Sequence, residues 1–238
     1  MTYASICFLS YNRPEFLAEA VESAKRNAGF PCEVIVHDDG SDDRTWATVS
    51  RLLRSGEISR VVANPPGRNE GVGAAFNRAA AVATGDYLIK MDQDLLFQPN
   101  WLSKTVDVLE ADPQIGAMGL FKYDVDPVDW RKMELDEPTA PQVACVPYHY
   151  VKDFVGSAIA MTRAVWDVFG PWPEHSDAFA EDVEFKLDTL VRDGGLRLAL
   201  PDEDLAHNRG FGVGPSTVAV IRDGQLTASE INHGGVTF

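Results

Sequence analysis

Tyr87-Leu88-Ile89-Lys90-Met91-Asp92-Gln93-Asp94 is an apolar run that stops on two carboxylates two residues apart. Its length suits a buried strand, and open α/β sheets hold ligands at the carboxyl ends of their strands. Hard cations such as Mg²⁺ or Mn²⁺ favour a few carboxylate oxygens together with phosphate oxygens. Asp92 and Asp94 therefore read as a clamp for a metal and a diphosphate. With 36 acidic residues in 238, such a pair also arises by chance, and Asp serves commonly in turns and caps. The segments upstream weigh in favour of the clamp.

Working back from Asp92, the chain alternates strand and helix. Ala4 to Leu9 is a strand ended by the polar Ser10-Tyr11-Asn12-Arg13, and Pro14 opens a helix to about Asn27 with Phe16, Leu17, Ala20, Val21 and Ala24 on one face. Glu33 to His37 is a second strand, turned by Asp38-Asp39-Gly40-Ser41. A helix from Asp43 to Leu53, a strand from Ile58 to Val62 and a helix from Gly71 to Ala83 follow. This rhythm predicts an α/β fold, Rossmann-like, with a mostly parallel central sheet and helices on both faces.

Downstream the pattern loosens. A helix from Trp101 to Glu110 leads to an apolar segment, Ile115 to Phe121, and then to a Pro- and Asp-rich stretch, Asp124 to Pro147, that reads as a surface excursion. Phe154 to Met161 is a buried strand, Arg163 to Phe169 a short helix, Asp182 to Val191 a helix, and Leu196 to Leu200 the last strand. The tail beyond about Gly210 shows no clear pattern. The expected organisation is one domain over 1–238, with a regular half at 1–94, a less regular half at 95–210 and a tail at 211–238.

Composition narrows the function classes. At 45% apolar and 24% charged residues the chain is an ordinary globular protein, and a formal charge of −15 disfavours nucleic acid as a partner. Cys7, Cys32 and Cys145 are an odd, widely spaced set without CxxC pairing, which reads as reduced thiols in a cytoplasmic protein. No window approaches the ~18 apolar residues of a membrane span. Asn69-Glu70-Gly71-Val72-Gly73 is too short for a dinucleotide fingerprint and too poor in basic residues for a P-loop, yet its glycines let backbone approach a ligand at a helix start.

Four polar clusters, Ser10 to Arg13, Asp38 to Ser41, Asn69 to Asn77 and Asp92 to Asp94, fall at strand ends or helix starts and converge on one crevice in a doubly wound sheet. Their order resembles the family-2 glycosyltransferases of the GT-A fold: Ser5 to Asn12, Asp38-Asp39-Gly40-Ser41, Asn69-x-Gly71-x-Gly73-x-Ala75-x-Asn77, Gly85-Asp86-Tyr87 into Asp92-x-Asp94, then Gly156-Ser157 and Glu181-Asp182. The resemblance covers residues 4 to about 209 and implies a nucleotide-sugar-binding role for the half at 1–94 and an acceptor-binding role for the half at 95–210.

The resemblance implies a metal-dependent, inverting transfer of a single sugar from a nucleotide-sugar donor, UDP-sugar favoured, to a hydroxyl of a glycan, lipid-linked, protein or small-molecule acceptor. In it Ser10, Tyr11, Asn12, Arg13 and Asp39 hold the nucleoside, with Asp39 facing the base. Arg68, Gly71, Asn77 and Gln93 are further donor-side residues. Asp92 touches ribose or metal, Asp94 ligates Mn²⁺ or Mg²⁺, His207 adds a third metal or diphosphate contact, and Asp182, with Glu181 as the next candidate, is the base.

Simpler readings stand beside these roles: a turn and cap at Asp38 to Ser41, solvated loop acids at Asp92 and Asp94, a helix-start charge pair at Glu181-Asp182, a packing role for His207, and core positions for Trp130, Tyr148, Tyr150, Trp166 and Trp172. A retaining relative, a sugar-phosphate nucleotidylyltransferase and a non-catalytic nucleotide-sugar or glycan binder remain as alternatives. The place of action implied is the cytoplasm or the periphery of a membrane.

Overall fold

The computed structural model describes residues 1–121, 146–174, 181–208, 216–222 and 225–231. The chain begins as read: β1 (Ala4–Ser10), α1 (Pro14–Arg26), β2 (Cys32–Asp38), α2 (Asp43–Ser55), β3 (Arg60–Ala63), α3 (Val72–Val82) and β4 (Tyr87–Asp92). It continues through β5 (Leu95–Phe97), α4 (Trp101–Ala111), β6 (Ile115–Gly119), β7 (Tyr148–Val151), β8 (Ala158–Thr162) and α5 (Arg163–Phe169). A short α6 (Glu181–Glu184) passes into a π-helix (Phe185–Asp193), followed by β9 (Arg197–Pro201), β10 (Ala206–Asn208), β11 (Ser216–Arg222) and β12 (Gln225–Ile231).

Eight strands form one sheet in the order β3-β2-β1-β4-β8-β6-β9-β7, so strands from both halves of the chain share it. The first four are parallel, as the sequence rhythm requires. Beyond β4 the sheet becomes mixed: β8 runs antiparallel between β4 and β6, β6 and β9 are parallel, and β7 runs antiparallel on β9. Four of the seven strand pairings are parallel, so among the described residues the sheet is mostly parallel, as expected. The chain leaves β1 toward β2 and β3, then returns to place β4 on the other side of β1. That reversal opens a crevice at the strands' carboxyl ends.

Alternate residues of each strand feed two cores. Ile6, Phe8, Val34, Val36, Ile89 and Met91 pack under α1, α2 and α4, whereas Cys7, Ile35, Leu88 and Ile159 pack under α3 and the π-helix. The two-residue period of the pleat makes this division. The π-helix follows from the same demand, since Phe185 and Leu190, five residues apart, are both fully buried. Trp101, against Phe97, closes the first core and donates its indole N–H to Ala24 O at 2.9 Å.

Several segments depart from the reading. β5 and β7 fall where the sequence suggested no element, and the antiparallel β11–β12 ladder lies in the tail read as patternless. Phe154 to Ser157, expected within a strand, precede β8 as loop. Trp130 and Cys145, and all of the excursion before Val146, lie outside the described residues. Tyr148 and Trp172 are core, and Trp166 packs edge-on against Phe76.

His37, on β2, is fully buried, and neither ring nitrogen has a hydrogen-bond partner among the described residues. Burial pushes its pKa below the ordinary value, and the carboxylates of Asp39 and Asp38 pull back only in part. Between the folded pKa and about 6.5, the unfolded chain binds the extra proton, so stability falls as pH drops through that window. The slope expected is up to ~1.4 kcal/mol per pH unit. Urea unfolding at about pH 5.5 and about pH 7.5 should show a larger loss on acidification for the wild type than for His37→Leu. Equal losses would remove His37 as the cause.

Candidate active site

The crevice has a volume of about 260 Å³ and is lined by residues from all four polar clusters: Ser10, Tyr11, Arg13, Asp39, Asn69, Gly71, Asp92, Gln93 and Asp94, with Leu9, Val72 and Ala75. Strand register brings them together, since Ser10 pairs with Asp38 across β1–β2 and Leu9 with Asp92 across β1–β4.

The loops are then stitched by side chains. Gln93 clasps the backbone of Tyr11, its Oε1 accepting from Tyr11 N at 3.2 Å and its Nε2 donating to Tyr11 O at 2.9 Å. Asn12 adopts a left-handed backbone, φ 51°, which Asn tolerates better than most residues. Its N–H donates to Ser41 Oγ and its Oδ1 accepts from Asp42 N, the N-cap of α2. Tyr11 is left 41% exposed, so an aromatic face stands at the crevice.

Asp39 is held on its loop by its own oxygens. Oδ1 accepts from Asn64 Nδ2 at 2.6 Å and from Glu70 N at 3.0 Å, and Oδ2 from Gly71 N at 3.0 Å. The carboxylate thereby fixes the backbone that leads into α3. Ser10 Oγ is buried without a hydrogen-bond partner among the described residues.

Asp94 carries the strongest sign of a cation site. Its Oδ2 pairs with Arg13 Nη1 at 2.7 Å, while Oδ1 is buried and has no hydrogen-bond partner among the described residues. Burial, then the charge of Asp92, raise its pKa above the ordinary carboxylate value against the pull of Arg13. A divalent ion would relieve both causes, and carboxylate oxygen is the donor that Mn²⁺ and Mg²⁺ prefer. Asp92 is different: its Oδ1 is engaged by the buried Lys90 Nζ at 2.5 Å. Lys90 is therefore satisfied inside its strand, donating also to Gly156 O at 2.7 Å.

Glu181 and Asp182 differ in surroundings. Glu181 is fully buried and its Oε2 accepts from Gly73 N at the start of α3. Gly73 must be glycine, because a Cβ there would lie 2.6 Å from Pro173 O and 2.7 Å from Glu181 Oε2. Asp182 keeps a partly exposed side chain, pairs with Lys186 Nζ at 3.3 Å, and packs against Gly156 so closely that a Cβ would collide with it. Gly156 is also the residue whose carbonyl Lys90 holds, so one ammonium and one glycine link Asp92 to Asp182.

Six expected residues, Asn12, Arg68, Asn77, Glu181, Asp182 and His207, do not line the crevice. Asn77 clasps the Trp172 backbone, accepting from its N–H and donating to its carbonyl, both at 2.9 Å. Arg68 is exposed and paired with Glu70 at 2.6 Å. His207 is exposed on β10, opposite Leu96 of β5. Among the described residues no three His, Cys, Asp or Glu side chains gather as a cation site, so His207 does not join Asp92 and Asp94 as a ready-made ligand set. Its ladder with β5 brings the chain near Asp94 without closing on it. The contacts of Lys90, Lys186 and Gln93 escaped the sequence reading; a charge inside an apolar run marked Lys90 alone.

The family model described as Glycosyl transferase family 2 matches residues 5–169, more than half of the 238. The chain belongs to glycosyl transferase family 2. Succinoglycan biosynthesis protein ExoO of Rhizobium meliloti is 26% identical over 220 residues, 92% of this chain and 60% of ExoO. Other curated relatives are matched over less of their length, 36–39% for three of them, so the chain spans well under half of those proteins.

Among solved structures, a mannosyltransferase from Pyrobaculum calidifontis in complex with GDP-Man and Mn²⁺ superposes with a TM-score of 0.61 at 22% identity, over 88% of this chain and 58% of that one. GalNAc-T7 with UDP, GalNAc and Mn²⁺ superposes with the same TM-score, 0.61, at 19% identity, over 84% of this chain and 41% of that one. The fold is GT-A. Among the described residues of this family-2 chain, no helix is long and apolar enough to cross a membrane.

Proposed function

We propose that this family-2 chain transfers one sugar from a nucleotide-sugar donor, a UDP-sugar by preference, to an acceptor hydroxyl with inversion at the anomeric carbon. The observation that carries the reading is the buried Oδ1 of Asp94, without a hydrogen-bond partner among the described residues, beside Asp92 in a crevice formed where β1, β2 and β4 end. Asp94 would hold Mn²⁺ or Mg²⁺, with Asp92 assisting; both solved relatives are complexes with Mn²⁺. When bound, the ion supplies Lewis-acid stabilisation of the departing diphosphate.

The protein's own residues do the rest. Tyr11 offers a stacking face for the base, and Ser10 Oγ an unused hydrogen-bonding group. Asp39, preorganised by the backbone of residues 70 and 71, takes an imide N–H of uracil. Asp182 accepts the acceptor's proton as its oxygen bonds to the anomeric carbon and the bond to the diphosphate oxygen breaks. Attack by one nucleophile with one base gives inversion. Asp182 is preferred to Glu181 because Glu181 is fully buried and tied to α3. The cytoplasm, or the face of a membrane beside it, is the proposed place of action; Cys7, whose buried thiol is pushed up to about 12, stays protonated and inert there.

A thermal-shift panel of UDP-, GDP- and dTDP-sugars with and without Mn²⁺ tests the reading. A donor present at 100 times its dissociation constant stabilises by ~2.7 kcal/mol. The expected result is a Mn²⁺-dependent shift largest for a UDP-sugar. A larger shift with GDP-sugars would reassign the base, and no shift with any donor would sink the reading.

Asp39→Asn carries a further expectation. An amide at this position has one accepting oxygen where the carboxylate has two: set to accept from Glu70 N and Gly71 N, as Oδ2 does, it turns its NH₂ group toward Asn64 Nδ2, a donor that then loses its acceptor. Chemical denaturation should show a loss of ~1–3 kcal/mol, and UDP affinity should fall with it. Unchanged stability would mean that the carboxylate does not organise the loop.

A further inference from the structure

Two lysines lie buried beside the crevice, Lys90 with a side chain 3% exposed and Lys186 with one fully enclosed. Buried ion pairs contribute little net stability compared with apolar residues of the same size, because desolvation offsets the attraction. Their contacts suggest another use. Lys90 Nζ bridges Asp92 Oδ1 at 2.5 Å and Gly156 O at 2.7 Å. Lys186 Nζ bonds Asp153 Oδ1 at 2.6 Å and Phe154 O, sits 4.6 Å from the centre of the Phe154 ring, and faces Asp182 Oδ2 at 3.3 Å. Asp92 N adds a bond to Ser157 O at 2.8 Å. The segment 153–157 is thus gripped from the donor side by Lys90 and from the base side by Lys186, and Gly156 within it abuts Asp182.

We propose that Lys90 and Lys186 are a pair of positioning residues that, through segment 153–157, set the distance between the acids of the diphosphate side and Asp182. The proposal rests on Asp182 being the base. Neither lysine need touch the reacting atoms. A displacement of about 1 Å in such a geometry costs ~10²-fold in rate. The ammonium on Lys90 leaves the second oxygen of Asp92 for the ligand, so donor affinity should hardly depend on it.

The test uses the full chain with Lys90→Met, Lys186→Met and the double variant. Turnover is read as nucleoside diphosphate released from the sugar nucleotide selected by the thermal-shift panel, and UDP affinity with Mn²⁺ is read by calorimetry. Each single variant should lose at least ~10-fold in kcat while its UDP affinity stays within about threefold. The double variant should be no worse than the poorer single, within about threefold, since parts of one device are not additive. Unchanged kcat in either single, losses that multiply, or UDP affinity falling in step with kcat would overturn the proposal.

Should a lysine variant fail to fold, Gly156→Ala keeps both ammoniums and sets a methyl group against Asp182; the same loss confined to kcat is expected, and wild-type kcat would overturn the proposal. Asp182→Asn separates the two ideas. Its full turnover would remove the base reading and this proposal with it, whereas its collapse beside normal lysine variants would remove the positioning role alone.

Discussion

Asp182→Asn should fold, bind UDP and Mn²⁺ as the wild type does, and lose ~10²–10⁴-fold in turnover, the range for removal of a general base. The surroundings of Asp182 make the fold tolerant of the change. Lys186 retains Asp153 Oδ1 and Phe154 O as partners, so an amide at 182 does not strand the ammonium. The charge lost at the start of α6 is worth ~1 kcal/mol or less. A structural role for Asp182 would therefore show in denaturation and hardly in kcat, while the catalytic role shows in kcat and hardly in denaturation. The wild-type product should carry inverted anomeric configuration by NMR. More than about a tenth of wild-type turnover in the variant would place the base elsewhere, and retained configuration would rule out a single displacement.

The first half of this fold is legible in sequence because its inner strands β1, β2 and β4 are buried on both faces and read as nearly continuous apolar runs. Ala4 to Ser10 and Tyr87 to Asp92 are of that kind, and each ends abruptly on polar residues. The helices between them carry their own signals, Pro14 at the start of α1 and the Asp42 cap of α2. Short strands have no such contrast. β5 is three residues, and Leu95-Leu96-Phe97 is set by its ladder with Ala206 to Asn208, more than a hundred residues away. β7 is positioned by partners that no local pattern shows: Tyr148 and Tyr150 both donate to Asp112 Oδ2. The β11–β12 ladder was readable, since Asp223-Gly224 between two β-branched runs is a strong hairpin signal that the reading passed over.

The crevice was legible to the same degree. Residues whose place follows from a strand end, Ser10, Asp39, Asp92 and Asp94, line it together. Residues whose place depends on a tertiary partner do not. Asn77 sits one helical turn past Gly73 in sequence, yet its amide is used by Trp172, a segment that only the return of the chain brings near. Glu181 and Asp182 are neighbours in sequence and were treated as near equivalents. The helix start turns one into the core toward Gly73 and leaves the other against Gly156.

The second large effect is expected at Asp94. Asp94→Ala should bring UDP affinity in Mn²⁺ down to the level seen in EDTA, because the substitution removes the buried oxygen that has no partner among the described residues. Loss of a group that merely orients a ligand costs 10–100-fold in metal affinity, and loss of the ligand itself should exceed that. Alanine also removes the partner of Arg13 Nη1, so the result alone mixes two causes. Asp94→Asn resolves them: its amide oxygen can still accept from Arg13, whereas the charge that holds a divalent ion is gone. If the metal site is Asp94's main role, the asparagine variant should lose nearly as much Mn²⁺-dependent affinity as the alanine variant, with metal-free UDP binding unchanged, both read by calorimetry. Relief of the buried charge adds a stability signature. Burial and Asp92 raise the carboxyl's pKa in the metal-free protein, so its ionisation opposes folding as pH rises above the ordinary carboxylate value. Asp94→Asn should therefore stabilise the metal-free protein at neutral pH and forfeit the stabilisation that Mn²⁺ with UDP gives the wild type. An asparagine variant that still gains full stability from Mn²⁺ with UDP would show that the ion is held by other residues.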